Sequence, residues 1–181
     1  NLFSSKKKTT LPKEETPVSG INTTEYFENR YQQDQLSPQM LDGCFKMIES
    51  YFIDNKITRK VQDPINHPTN LDQLDQEGFG FIMYCKAFQL EEGLATMFLA
   101  SAFSDYLIKQ YGFKLYKDTA PEWPLRGMTL KYDKEGTVLS LYPFEYASKV
   151  LNGNATFSAL EEKLQLQLGN MPRVDELIEK L

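Results

Sequence analysis

Apolar residues recur at three- and four-residue spacing through Met40, Leu41, Cys44, Phe45, Ile48, Tyr51 and Phe52, the repeat of a helix with one buried face. Ser37 stands before them as an N-cap and Pro38 follows with its φ already set for the first helical turn. The pattern predicts a helix to about Asn55. Gly93 to Gln110 reads differently. Leu94, Met97, Phe98, Phe103, Tyr106 and Leu107 make a broad apolar face, while Ala95, Leu99, Ala100 and Ala102 leave almost no polar side. A helix of this kind belongs inside a core, its small residues letting neighbours approach closely. Gly112 then supplies a C-terminal stop.

Strand signals follow. Phe113 to Tyr116 is short and aromatic-rich, and Arg126 to Tyr132 alternates through Met128, Leu130 and Tyr132. Asp133-Lys134-Glu135-Gly136 reads as a turn into a returning strand, Thr137 to Tyr142. Pro143 has no N–H for a ladder and ends that strand. Phe144 to Leu151 becomes a helix stopped by Asn152-Gly153, with Phe144 packed on the sheet. Thr156 or Ser158 caps a helix through about Leu168, and Pro172 sets off a last one, Val174 to Leu181.

Three stretches are less regular. Thr23 to about Asp34 is helix-capable, with Tyr26, Phe27, Arg30 and Tyr31 on one side. Ile57 to Gln76 is polar and punctuated by Pro64, Asn66, Pro68 and Asn70, which reads as a long surface connection. Glu77 to Phe88 suits a strand or a helix. The order predicts an α+β fold: N-terminal helices and a long buried helix packed on a small antiparallel sheet, with C-terminal helices. The 181 residues suffice for one domain, 21–181, behind a flexible basic tail, 1–20.

Charge and cysteine usage narrow the classes. The net charge is −5. Lys6, Lys7, Lys8 and Lys13 against Glu14 and Glu15 leave +2 in the tail, so residues 21–181 carry −7. An acidic body argues against nucleic-acid binding, which leaves a basic footprint. No run approaches the roughly 20 apolar residues of a membrane-spanning helix, and no apolar run of leader type follows Leu2 and Phe3. Cys44 and Cys85 sit among apolar neighbours and read as buried free thiols of a cytoplasmic protein. Asn22-Thr23-Thr24 and Asn154-Ala155-Thr156 match the glycosylation sequon, which matters only in a secretory setting.

A small-residue-rich helix leads through Tyr111-Gly112-Phe113 into strands. The last strand then passes through Tyr142-Pro143-Phe144 into a helix carrying Ala147-Ser148-Lys149. Over roughly Gly93 to Gly169 this order resembles the bacterial domain-of-unknown-function family 3806. The resemblance implies a shared fold and a bacterial origin, and it brings no assigned chemistry.

The candidate chemistry is sparse. His67, the one histidine, lies between Asn66 and Pro68 with Asp63 and Asp72 near in sequence; it is either a solvated loop residue or a general base oriented by a carboxylate. Neither cysteine has a basic neighbour that would activate it. Asp105 interrupts the buried helix and can pair with Lys109 four residues on, cap a neighbouring backbone, or mark a buried functional carboxylate. Glu91 and Glu92 complement a helix N-terminus without forming a chelating pair. Glu77-Gly78-Phe79-Gly80-Phe81 lacks the further residues of a dinucleotide or phosphate loop and suits core packing or a partner groove. No catalytic, metal or cofactor residues are assigned.

The binding candidates are Trp123, Arg126 and Glu122, in a proline-stiffened segment between two strands, since Trp and Arg most often anchor interfaces; a loop tryptophan that folds back over the sheet edge is the equally ordinary alternative. The leading expectation is a non-enzymatic protein-binding module for a basic partner, of which an acidic immunity protein against a basic toxin is one form. The alternatives are a small-molecule-binding or hydrolytic enzyme using Asp105 or His67, and an oligomerising component that exposes apolar patches on its first helices.

Overall fold

Four strands, β1 (Tyr31–Asp34), β2 (Lys114–Asp118), β3 (Met128–Lys134) and β4 (Thr137–Leu141), form one antiparallel sheet in the order β1-β2-β3-β4. A computed structural model describes residues 30–134 and 136–169. Among these residues there are six helices: α1 (Pro38–Asp54), α2 (Pro68–Gln76), α3 (Phe81–Ala87), α4 (Glu92–Tyr111), α5 (Pro143–Leu151) and α6 (Phe157–Gly169). The fold is α+β.

Strand register decides which face is buried. Leu130 of β3 stands opposite Leu115 of β2 and Leu141 of β4, so leucines from three strands share one face with Tyr132, two residues along. The helical layer closes on that face. α4 packs against α1, α3, α5 and β2, and every residue from Leu99 to Leu107 is buried. Gly112 ends α4 in the left-handed region at φ +76°, where its N–H reaches Ile108 O. The left-handed backbone is what calls for glycine there; the atom nearest to a Cβ would be the flexible end of Lys134, which can move aside.

Ser37 caps α1 by accepting from Met40 N, with Pro38 in the first turn. Thr156 does the same for α6, accepting from Ala159 N. A second cap on α6 comes from a distance: Asp72 of α2 accepts from Phe157 N at 2.7 Å and Ser158 N at 3.1 Å.

Three sequence expectations are corrected. Tyr31–Asp34 is a strand, not the end of a helix, because it pairs residue for residue with Asp118–Leu115; residues 23–29 lie outside the described residues, as do the tail, Pro172 and the helix expected at 174–181. Residues 57–76 are not a surface connection. Pro68–Gln76 is helical, and Asn66, Asn70, Asp72 and Gln73 are buried. The Asn70 amide group donates to Val61 O, Pro64 O and Ile65 O and accepts from Val61 N, while Gln73 accepts from Lys60 N and donates to Thr58 O. Buried amide side chains thus stand in for the ladder that an irregular backbone lacks. The third correction concerns Arg126, which belongs to a 3₁₀ turn, Pro124–Arg126, and not to the following strand. The ambiguous stretch 77–88 resolves into α3, and Tyr51 Oη fastens the approach to it by donating to Glu77 O and accepting from Gly80 N. Gly78, at φ +76°, leaves room for that hydroxyl, which would stand 2.6 Å from a Cβ.

One buried group is unsatisfied on the sheet. Thr129 faces away from the leucine layer, opposite Tyr116, is 4% exposed, and its Oγ1 has no hydrogen-bond partner among the described residues. A buried hydroxyl without a partner costs about 1–3 kcal/mol, and valine keeps the β-branched shape. Thr129→Val is therefore expected to raise stability by about 1 kcal/mol, read as a higher urea midpoint with an unchanged slope.

Candidate functional site

The segment between β2 and β3 rises from a fixed base. Asp118, at the end of β2, is buried and receives Arg30 Nε and Nη2 at 3.2–3.3 Å. It also accepts from Ala120 N at 2.9 Å. Burial opposes ionisation of Asp118, but the Arg30 guanidinium and the Ala120 N–H outweigh it and hold the carboxyl below its usual range. Thr119 adds two bonds to Arg30 O, one from its N–H and one from its hydroxyl.

The far side of the segment is clamped to α5. Arg126 Nε donates to Glu145 Oε2 at 2.8 Å and Nη2 to Oε1 at 3.3 Å, a two-pronged pairing with directional strength beyond a point charge. The guanidinium carbon lies 4.9 Å from the centre of the Tyr142 ring, a cation–π arrangement. The paired Arg126 lowers the Glu145 carboxyl below its ordinary value, against the opposing effect of burial.

Between these supports the chain presents Trp123, Pro124 and Leu125. Trp123 is 63% exposed and Leu125 43%. A surface hollow of about 320 Å³ lies among Trp123, Pro124, Leu125, Arg126 and Glu145. On the other side of the Arg126–Glu145 pair a second hollow, of about 230 Å³, is bordered by Tyr142, Tyr146 and Lys149. The expected binding residues come together here: Trp123 and Arg126 flank the larger hollow, and Glu122, 73% exposed at its side chain, reaches Arg30 at 3.9 Å. Glu145 was not legible as part of the site, since it meets Arg126 only through packing of α5 against the turn.

The Arg126–Glu145 pair has a pH signature. A carboxylate with a depressed folded-state pKa contributes stability above its unfolded value and loses that contribution as pH falls through the depressed value. Glu145 is thus expected to titrate below the ordinary glutamate range in a carbonyl-detected NMR titration. Arg126→Ala moves its midpoint up toward the ordinary glutamate range, and an unmoved midpoint would show that the pair does not hold in solution.

The other candidates have different roles. Asp105 pairs with Lys109 Nζ at 3.0 Å and accepts from Asn66 Nδ2 at 3.0 Å, so its second oxygen holds the segment before α2. His67 is no solvated loop residue. Its Nδ1 accepts from Thr69 N and caps α2, and its ring meets Tyr106 edge-on at 5.4 Å. With Nδ1 an acceptor, the neutral ring carries its proton on Nε2, which faces Glu161 Oε1 at 3.9 Å. Glu161 is 9% exposed, and its Oε2 has no hydrogen-bond partner among the described residues. Burial and then Glu161 push the Tyr106 phenol well above its usual range. Nothing in sequence joins positions 67, 106 and 161 locally. Burial raises both thiols, Cys44 and Cys85, to about 11, so both are protonated and poorly nucleophilic near neutral pH. Among the described residues no three His, Cys, Asp or Glu side chains gather as a metal site, and no helix is long and apolar enough to cross a membrane.

A separate apolar strip runs along α3 and its approach. Phe81 is in the core, whereas Phe79, Met83 and Phe88 are exposed, and Ile53 of α1 is exposed as well. Tyr84 lies between Phe79 and Phe88, with ring centres 6.3 and 5.0 Å away, and donates to Asp54 Oδ2.

No family model, curated protein or solved structure matches the chain.

Proposed function

We propose that this chain is a protein-binding module that takes a basic protein partner on the Trp123–Leu125 turn. One observation carries the reading: a large aromatic and a large aliphatic side chain stand in solvent, Trp123 just before and Leu125 within a 3₁₀ turn, in a segment held by ion pairs at Asp118 where it leaves β2 and at Arg126 where the turn ends. A fixed anchor loses little conformational entropy on binding, which is what lets a few residues dominate an interface. The partner's charge follows from the chain's −5 and from Glu122, exposed beside Trp123, which favour encounter with a basic surface. An acidic immunity protein of a bacterial cytoplasm is one form of this proposal; the resemblance to family 3806 bears on the bacterial origin and not on the role. The two buried free thiols suit a reducing compartment.

The test is parallel affinity capture on immobilised wild-type chain and on Trp123→Ala, followed by titration of the purified captured protein. The proposal expects a stoichiometric basic partner that wild type retains, that Trp123→Ala loses, and whose affinity falls with added salt. Equal retention by both chains, or a partner whose binding ignores salt, overturns it. A captured protein displaced instead by Phe79→Ala or Phe88→Ala would move the interface to the α3 strip and equally reject the Trp123 site.

A further inference from the structure

We propose that a cavity between the sheet and helices α1 and α4 is a binding site for a small apolar molecule of about the size of benzene. The cavity measures about 120 Å³ and its wall is almost wholly apolar. Three of the chain's six methionines converge on it from three elements: Met40 of α1, Met97 of α4 and Met128 of β3. Leu36, Leu115 and Phe144 complete most of the enclosure.

The chemistry of the wall selects the ligand. Two serines border the space, yet neither hydroxyl serves it. Ser104 Oγ donates to Ala100 O at 2.6 Å, and Ser101 is engaged with the Cys44 thiol. A water molecule needs two to four polar partners to be held, and this wall offers almost none. A charged or hydrogen-bonding ligand would lose its hydration with nothing in return. An apolar ring or short hydrocarbon gives up no hydrogen bond on entering and gains dispersion contact with the apolar wall.

Access and fit come from the same methionines. Met40, Met97, Met128, Leu36 and Phe144 are only partly buried, so the pocket is partly open to solvent and side chains form its outer rim. Methionine is unbranched and polarisable, re-packs around irregular shapes and contacts aromatic rings favourably through sulfur. The site lies apart from Trp123 and its hollow, which share no lining residue with it.

The test uses the full chain labelled with ¹³C at the methionine methyls and titrated with benzene. Met40, Met97 and Met128 are expected to shift along one saturable curve through the ring current of the bound molecule, while the exposed Met83 stays still. Ala100→Leu, which places a side chain in the cavity, is expected to raise the apparent Kd at least tenfold; if that chain does not fold, Met97→Phe serves the same purpose. The proposal is overturned if the three cavity methyls move no further than Met83, if their shifts do not saturate, or if the filled variant binds as wild type does.

Discussion

Asp72→Ala is expected to lower stability by about 3 kcal/mol, a fall in melting temperature of roughly 6–12 °C for a chain of this size. Asp72 is buried and accepts from two backbone amides at the start of α6, 85 and 86 residues further along. Hydrogen bonds to a charged acceptor contribute about 1.5–3 kcal/mol each, and truncation leaves the Phe157 N–H buried without a partner. The amide it holds belongs to a fully buried ring that lies 4.7 Å from Phe103 and 5.9 Å from Tyr146, centre to centre. Loss of the cap therefore loosens the docking of α6 as well as its first turn. Asp72→Asn keeps one acceptor oxygen and places a donor against the other amide, so it should fall between wild type and alanine. Calorimetry of the three chains gives the order; an alanine variant within about 1 °C of wild type would contradict the assigned role.

The second large effect concerns affinity. Trp123→Ala is expected to weaken partner binding by about 2 kcal/mol or more, at least thirtyfold, the scale of a tryptophan hot spot. Its effect on stability should stay within about 0.5 kcal/mol, because most of the indole is already in solvent. Arg126→Ala separates anchoring from positioning. It leaves Trp123 and Leu125 in place but removes the clamp to Glu145 and the contact with Tyr142. A smaller loss of affinity is expected, offset in part when the turn is fixed by other means. Isothermal titration of wild type and both variants, with melting temperatures in parallel, distinguishes the two roles.

The elements that were legible in the sequence carry their signals locally. Ser37-Pro38 marks the start of α1, the small and apolar circumference of Leu94–Leu107 marks a buried helix, and Gly112 marks its end. Alternation through Met128, Leu130 and Tyr132 gives the hairpin strand its inward face. What could not be read depends on partners far along the chain. Tyr31–Asp34 has helix-compatible spacing, and its extended form is decided by pairing with residues 115–118.

The stretch 57–76 misleads for a more specific reason. Polarity there does not mean exposure, because Asn66, Asn70 and Gln73 spend their amides on the backbone of their own loop and on α4. Pro68 at a first helical turn and Leu71 and Leu74 three residues apart were the available signals for α2. Histidine in the N-cap position concealed them. At the candidate site, the prolines marked the Trp123 segment as a stiff connection between strands, but its sequence left open whether the indole stands in solvent or folds back over the sheet edge; the structure exposes it. The Glu145 clamp and the Arg30 base were not legible, since each joins residues 19 to 88 positions apart.

Trp123 is the chain's one tryptophan, so its own emission reports on the central claim without any label. The decisive measurement is acrylamide quenching of that emission while the purified basic partner is titrated in. The account predicts a blue shift and a marked loss of quencher access, with the same midpoint as the heat of binding. A complex that forms fully while Trp123 stays as red-shifted and as quenchable as in the free chain would place the interface elsewhere and contradict the account.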